Sequence, residues 1–201
     1  MTKTEDGVPF ANVVTSTEQL RTLYRAPVKL VAEKKMDHIP PWIRVAIEAS
    51  RFVFLATASR SGHATVSPKG GRDGFVVVLD EHRLAIPDYP GNNLIDGLRN
   101  IVENPSVGLI FVIPGRNDTI RVDGEAWVTT DPEVLERCMR DDGRKPKAAI
   151  GVRVRDTFFH CPSSFQRAGL WDKPGWRPDA TDDFDDFVRA TLPREEWPDW
   201  A

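Results

Sequence analysis

Cysteine is scarce in this chain: Cys138 and Cys161 are the only two in 201 residues. Two thiols cannot staple a chain of this length, and nothing in the sequence points to export. Long apolar runs are missing as well. The longest, such as Val107 to Pro114, fall far short of the ~20 residues needed to cross a bilayer. The segment Met1 to Phe10 is polar and acidic, with no charged start leading into an apolar run, so no leader peptide is read and a cytoplasmic address is expected. Familiar catalytic signatures are also lacking. There is no Gly-x-Ser-x-Gly elbow, no phosphate loop ending in Gly-Lys-Ser/Thr and no Gly-x-Gly-x-x-Gly after a strand. The four histidines, His38, His63, His82 and His160, are spread too widely to make a metal pattern with the cysteines. A net charge of −3 offers no general attraction to nucleic acid.

What is present is an ordinary globular composition, 40% hydrophobic and 28% charged. The charge is uneven. From Asp179 onward eight acids face two bases, a balance of −6, which leaves 25 bases and 22 acids, or +3, for the rest. A mildly basic body is compatible with an anionic ligand.

The chain divides by texture. Residues 1–50 read as a helical extension packed on a barrel, with one helix over Val13–Tyr24, capped by Thr15 or Ser16 and showing Leu20 and Leu23, and a second over Pro40–Ser50. Residues 51–171 read as a meander of short strands: 52–58, 64–68 after the Ser61-Gly62 turn, 75–79, 83–87, 106–113, 119–130 bent at Gly124, and 148–159. Helices are expected over Leu94–Glu103, capped by Asn92 or Asn93 and buried through Leu94, Leu98, Ile101 and Val102, then over 131–139 and 162–170. Residues 172–201 form an acidic tail with prolines and tryptophans. Six or seven short strands with few helices between them favour a mainly β fold, a split or closed antiparallel barrel with flanking helices, over a parallel α/β sheet.

Two segments could carry chemistry. Thr65-Val66-Ser67-Pro68-Lys69-Gly70 runs a strand end into a glycine-rich loop, where a lysine can reach an anion while backbone lies against a flat ligand. Alone, it reads more readily as a solvated lysine at a turn. The second segment runs from Pro87 to Pro105. It offers a helix N-terminus with Asn92, Asn93 and Arg99 as donors to a phosphate. Alone, it is an ordinary capped helix. Trp42 and Trp127 are read as core or interface packing, and Cys161 as a small buried residue.

Their combination is more specific. Ser-Pro-x-Gly at 67–70 is followed by Ile86-Pro87-Asp88 and by Leu98-Arg99-Asn100-Ile101 closing on Asn104-Pro105. Val107-Gly-Leu-Ile-Phe111, Arg121-Val-x-Gly-x-Ala126 and Phe158-Phe159-His160-Cys161 come after. This order, from about Leu20 to Trp171, resembles the pyridoxamine-5′-phosphate-oxidase-related FMN-binding proteins, especially a branch with Gly91-Asn92-Asn93 before the helix. The resemblance implies an FMN-binding split barrel that dimerises and holds non-covalent FMN in clefts shared by both subunits. By position, Thr65, Val66, Ser67 and Pro68 would line the ring system, and Lys69 would offer positive charge. Asn92, Asn93 and Arg99 would lie near the phosphate, while Arg167 and Trp171 of a second copy would close the cleft, with Arg121 bordering it. An oxidoreductase acting on a small molecule, with NAD(P)H as a candidate donor, follows from the family. A flavin-binding or sensing protein without activity and a deazaflavin protein are the alternatives.

The sequence departs from the pattern in two places. Many superfamily members carry a phosphate-binding lysine where this chain has Gly97. The arginine–histidine strand that holds pyridoxamine phosphate is replaced by the acidic tail, so that substrate is not expected. Arg153, Arg155 and Arg167 are the nearby bases that could substitute. Arg153 and Arg155, two apart, share a strand face, which is expected to point outward with Val152 and Val154 inward.

Overall fold

A computed structural model of the chain describes residues 10–89, 91, 93–139 and 142–172. Trp176, Trp197, Trp200 and the acidic tail therefore lie outside the described residues, as does Asn92. The chain divides into two units, Met1–Met36 and Asp37–Ala201.

The first unit contains α1 (Thr17–Leu23) and α2 (Lys29–Ala32), neither with a buried residue. The Ser16 hydroxyl accepts from the Gln19 amide, the N-cap geometry expected of a serine there. Leu20 and Leu23 stay exposed, so the thin apolar face of α1 covers nothing within its unit.

The second unit begins with α3 (Pro41–Glu48), where Pro41 fits the first helical turn and Ile43, Ala46 and Ile47 make the buried stripe. Seven strands follow, β1 (Phe52–Ala58), β2 (Ala64–Gly70), β3 (Val77–Val78), β4 (Arg83–Asp88), β5 (Ser106–Val112), β6 (Thr119–Thr129) and β7 (Ala148–His160). Three helices interrupt them: α4 (Asp96–Glu103), α5 (Pro132–Arg137) and α6 (Ser163–Ala168).

All seven strands join one antiparallel sheet in the order β2-β1-β5-β6-β7-β4-β3. The sheet curls but does not close, because β2 and β3 remain its edges. Lys69 on β2 nevertheless donates to Asp88 on β4 at 3.4 Å. That contact marks where the two ends of the curled sheet approach, and the fold is a split barrel.

The core fills the concave side. Val53 and Leu55 of β1, Leu109 and Phe111 of β5, Ile120 and Val122 of β6 and Ile150 of β7 are buried there. Each such side chain contributes roughly 1.5–3 kcal/mol by leaving water. Residues between them point outward, the alternation expected of half-buried strands. At the Asp123/Gly124 register shift, β6 and β7 form a bulge that bends the pair. A Cβ on Gly124 would collide with the Arg153 carbonyl, which explains the glycine.

Several details differ from the sequence reading. The expected strand over 75–79 shrinks to Val77–Val78. Helix α4 starts at Asp96 with Ile95 as its N-cap residue and no side-chain cap, not at an asparagine. Asn93 instead adopts a left-handed φ of 59°, a conformation asparagine tolerates because its short amide bonds locally, and this spends residue 93 on a turn before the helix. The buried residues of α4 are Asn100 and Ile101, whereas Leu94 and Val102 face solvent. Of the two readings of Trp42 and Trp127, core packing is excluded because both are half-exposed, the first stacked on Phe159 and the second under the Arg153 guanidinium. Cys161 is exposed and Cys138 is the buried cysteine, its thiol pushed up to about 11 by desolvation.

Candidate functional site at the open seam

Along β2 the side chains alternate. Thr65, Ser67 and Lys69 are half-buried, while Val66, Pro68 and Gly70 are exposed on the other face. Among the described residues β2 is an edge strand paired only with β1, so its outer backbone edge faces the seam.

Helix α4 packs under β1, β2 and β6. It is fixed there by a buried polar knot. The Asn100 amide donates to the hydroxyls of Thr57 and Thr65, each at 3.1 Å, and those two hydroxyls lie 3.0 Å apart. Buried polar groups are tolerated when so paired, and this knot sets the position of α4 against the β1–β2 hairpin. Gly97, one turn earlier, faces the same hairpin. A Cβ there would stand 3.8 Å from Ser67 Oγ, ordinary contact, so the glycine leaves space between helix and strand.

That space opens into a cleft of about 370 Å³ in the seam. Its walls include Thr65, Ser67 and Lys69 of β2, Asp88 of β4, the Gly91 and Asn93 loop, Gly97 and Leu98 of α4, and Lys147 beside Ile150 of β7. The two segments singled out in the sequence therefore meet in one cavity. Leu94, Ile95 and Leu98 supply apolar surface, and Thr65, Ser67 and Asn93 supply polar atoms. The charges are Lys69 and Lys147 against Asp88 and Asp96.

The expected site residues divide. Thr65, Val66, Ser67, Lys69 and Asn93 line the cleft. Pro68 does not; it sits on the outer face, paired with Phe54. Arg99 does not either. Its side chain is 69% exposed and lies 4.0 Å from Asp96, one turn back on the helix surface. Arg167 is on α6, and the Trp171 indole donates to the Arg116 carbonyl at 2.8 Å and meets Phe165 edge to face. Ten residues of β7 separate Ile150 at the cleft from His160 before α6, roughly 33 Å of strand. Neither Arg167 nor Trp171 lines the cleft of its own chain. Arg121 is on the outer face, bonded to Asp123 and lying over the Phe158 ring. Tyr89, Asp96 and Lys147 are among the cleft residues that the sequence reading missed.

A second hollow of about 260 Å³ lies on the far side of Tyr89, which lines both. The 70–75 loop and the end of α5 form its walls, and Arg137 there donates to the carbonyls of Val78 and Leu79. Among the described residues no group of histidine, cysteine and carboxylates could hold a metal ion.

The pyridoxamine 5′-phosphate oxidase family model matches residues 39–161, more than half the chain. The chain belongs to the pyridoxamine 5′-phosphate oxidase family. The matched stretch runs from before α3 to the end of β7 and so contains β1 to β7 and the seam cleft of this family member.

Solved structures are similar in fold at low identity. HupZ of Group A Streptococcus is 18% identical over 60% of this chain and 93% of its own, with a TM-score of 0.48. General stress protein 26 of Bacillus anthracis is 15% identical over 58% of this chain and 90% of its own, with a TM-score of 0.41. An F420 reductase is 21% identical over 57% of this chain and 92% of its own, with a TM-score of 0.37. No curated protein matches the chain.

Proposed function

We propose that this family member is an FMN-dependent oxidoreductase that works as a homodimer on a small molecule other than pyridoxamine phosphate. The observation that carries the reading is the seam cleft, which unites the Thr65–Lys69 edge strand with the Gly91–Leu98 loop and helix. Its volume of about 370 Å³ lies within the roughly 300–1,000 Å³ of small-molecule sites.

The residues suit a flavin. Leu94, Ile95 and Leu98 offer apolar surface to a flat ring, and the edge of β2 offers backbone groups to its heteroatoms. Thr65, Ser67 and Asn93 add polar contacts, and Lys69 and Lys147 add charge. When bound, FMN supplies the two-electron chemistry, so no catalytic side chain is required of the protein. The chain's part is to hold the ring against β2, to exclude water with the 91–95 loop and to set the local charge through Lys69 and Asp88.

Two observations support a dimer. The convex face of β1, β2 and β5 exposes Phe54, Val66 and Ile110, an apolar surface of the kind that two-fold interfaces cover. Arg167 and Trp171 do not line the cleft of their own chain, which fits their expected place at the cleft of a second copy. Against pyridoxamine phosphate as substrate stands the state of Arg153 and Arg155. Both lie on the outer face of β7, with Val152 and Val154 buried opposite, and both guanidinia are bonded to Glu125. No helix among the described residues is long and apolar enough to cross a membrane. A cytoplasmic setting remains part of the proposal, with NAD(P)H as candidate donor.

The absorption spectrum of the purified protein, followed by FMN titration, tests this reading. A yellow protein, or quenching of FMN fluorescence on titration, is expected. A deazaflavin spectrum would move the cofactor assignment, and absence of any flavin binding would overturn it. Turnover with NADH or NADPH then separates an enzyme from a flavin-binding protein without activity.

A further inference from the structure

The two lysines of the seam cleft are not equivalent. Lys69 is held by Asp88 at 3.4 Å, and both side chains are about a quarter exposed, 28% and 27%. Lys69 therefore already has an ion-pair partner before any ligand arrives. Lys147 makes no hydrogen bond or ion pair with any described residue, yet it lines the same cleft. Its backbone is anchored on both sides. Buried Pro146 precedes it with a fixed φ, and Ala148, which follows, pairs with Asp88 at the start of β7. The result is a firmly rooted cation with an uncommitted ammonium group at the cleft.

The helix end of the cleft is poorly suited to an anion by comparison. Asp96 stands in the first turn of α4 and lines the cleft, so a carboxylate already occupies the favourable end of the helix dipole. Gly97 brings no charge, and Arg99 is turned to solvent beside Asp96.

Resting on the flavin reading above, we propose that Lys147 is the charged contact for a phosphate-type anionic group of the ligand in the seam cleft. The group has two possible sources, the terminal phosphate of the flavin and the anionic part of a substrate lying beside it. The contact is a charge-assisted hydrogen bond from the ammonium to an anionic oxygen, with no proton transferred.

Lys147→Ala and Lys147→Arg separate the outcomes. Each is titrated with FMN and with riboflavin by fluorescence quenching, and inorganic phosphate is then added to the FMN-loaded proteins while the flavin spectrum is followed. If the flavin phosphate is the source, Lys147→Ala weakens FMN roughly tenfold or more, riboflavin is unchanged, and Lys147→Arg restores much of the loss. If a substrate anion is the source, FMN affinity is unchanged, but the spectral response to inorganic phosphate seen in the wild type disappears in Lys147→Ala. Equal weakening of FMN and riboflavin would place Lys147 at the ring or in the fold and overturn the proposal. Wild-type behaviour of Lys147→Ala in all three measurements would overturn it alone. A wild type that binds neither flavin would overturn it together with the cofactor reading.

Discussion

Strands β6 and β7 and strands β2 and β4 belong to one curled sheet but are held in opposite ways. β6 and β7 share eleven register pairs through a bulge, and their outer face is laced by Glu125 with Arg153 and Arg155. Across the seam, β2 and β4 are not paired in the sheet, and the Lys69–Asp88 ion pair bridges them. A continuous ladder leaves nothing for a ligand to bond. The open seam keeps the polar edge of β2 and a charged pair available to one. The split thus converts a gap in the sheet into a binding surface, and the fold tolerates the gap because α4 is pinned independently by Asn100.

Substitutions should cost most on the closed side. Gly124→Val drives a side chain into the Arg153 carbonyl at the bulge, and a loss of roughly 3 kcal/mol is expected in urea unfolding. A near-neutral result would show that β6 and β7 can re-register and that the closed side is not rigid. Asn100→Ala comes next, at about 2 kcal/mol, because it strips the shared amide from the buried Thr57 hydroxyl and the half-buried Thr65 hydroxyl. It should also weaken FMN by letting α4 drift from β2, whereas Gly124→Val at temperatures where it is folded should not. The smallest effect belongs to the seam itself. A double-mutant cycle of Lys69→Met and Asp88→Asn should return a coupling of about 1 kcal/mol or less, since the pair is partly solvated. A larger coupling would mean that the seam is clamped before ligand binds.

The same contrast explains what could be read from sequence. β1 and β5 were legible as short apolar runs rich in β-formers, β6 and β7 because Ile and Val alternate there with residues that can face water, and Gly124 announced its bend. The Thr65–Lys69 segment was legible as a site only beside the 91–105 segment, since each alone is commonplace. The start of α4 was not legible. Asparagines at 92 and 93 suit a cap and a left-handed turn equally well, and Asn93 takes the turn. Nor was its buried face. Leu94 and Val102 are the more apolar residues, but the Thr57 and Thr65 hydroxyls opposite select Asn100. Lys147 could not be found locally, being one of several bases in Arg144-Lys-Pro-Lys147. Its place in the cleft depends on Asp88 pairing with Ala148, sixty residues away in the chain. Lysine following proline, just before a strand that pairs with the Ile-Pro-Asp strand, is a signal usable in hindsight.

Hydrogen–deuterium exchange with and without FMN tests the seam most directly, because it reports where the ligand lies without requiring turnover. The largest added protection is expected over residues 64–70 and 91–98, with little change along 119–129, where the ladder already protects the amides. Protection confined to residues 70–75 and 137–139 would place the ligand in the neighbouring hollow beyond Tyr89. That result, or an unchanged 64–70 edge at saturating FMN, would contradict the seam as the flavin site.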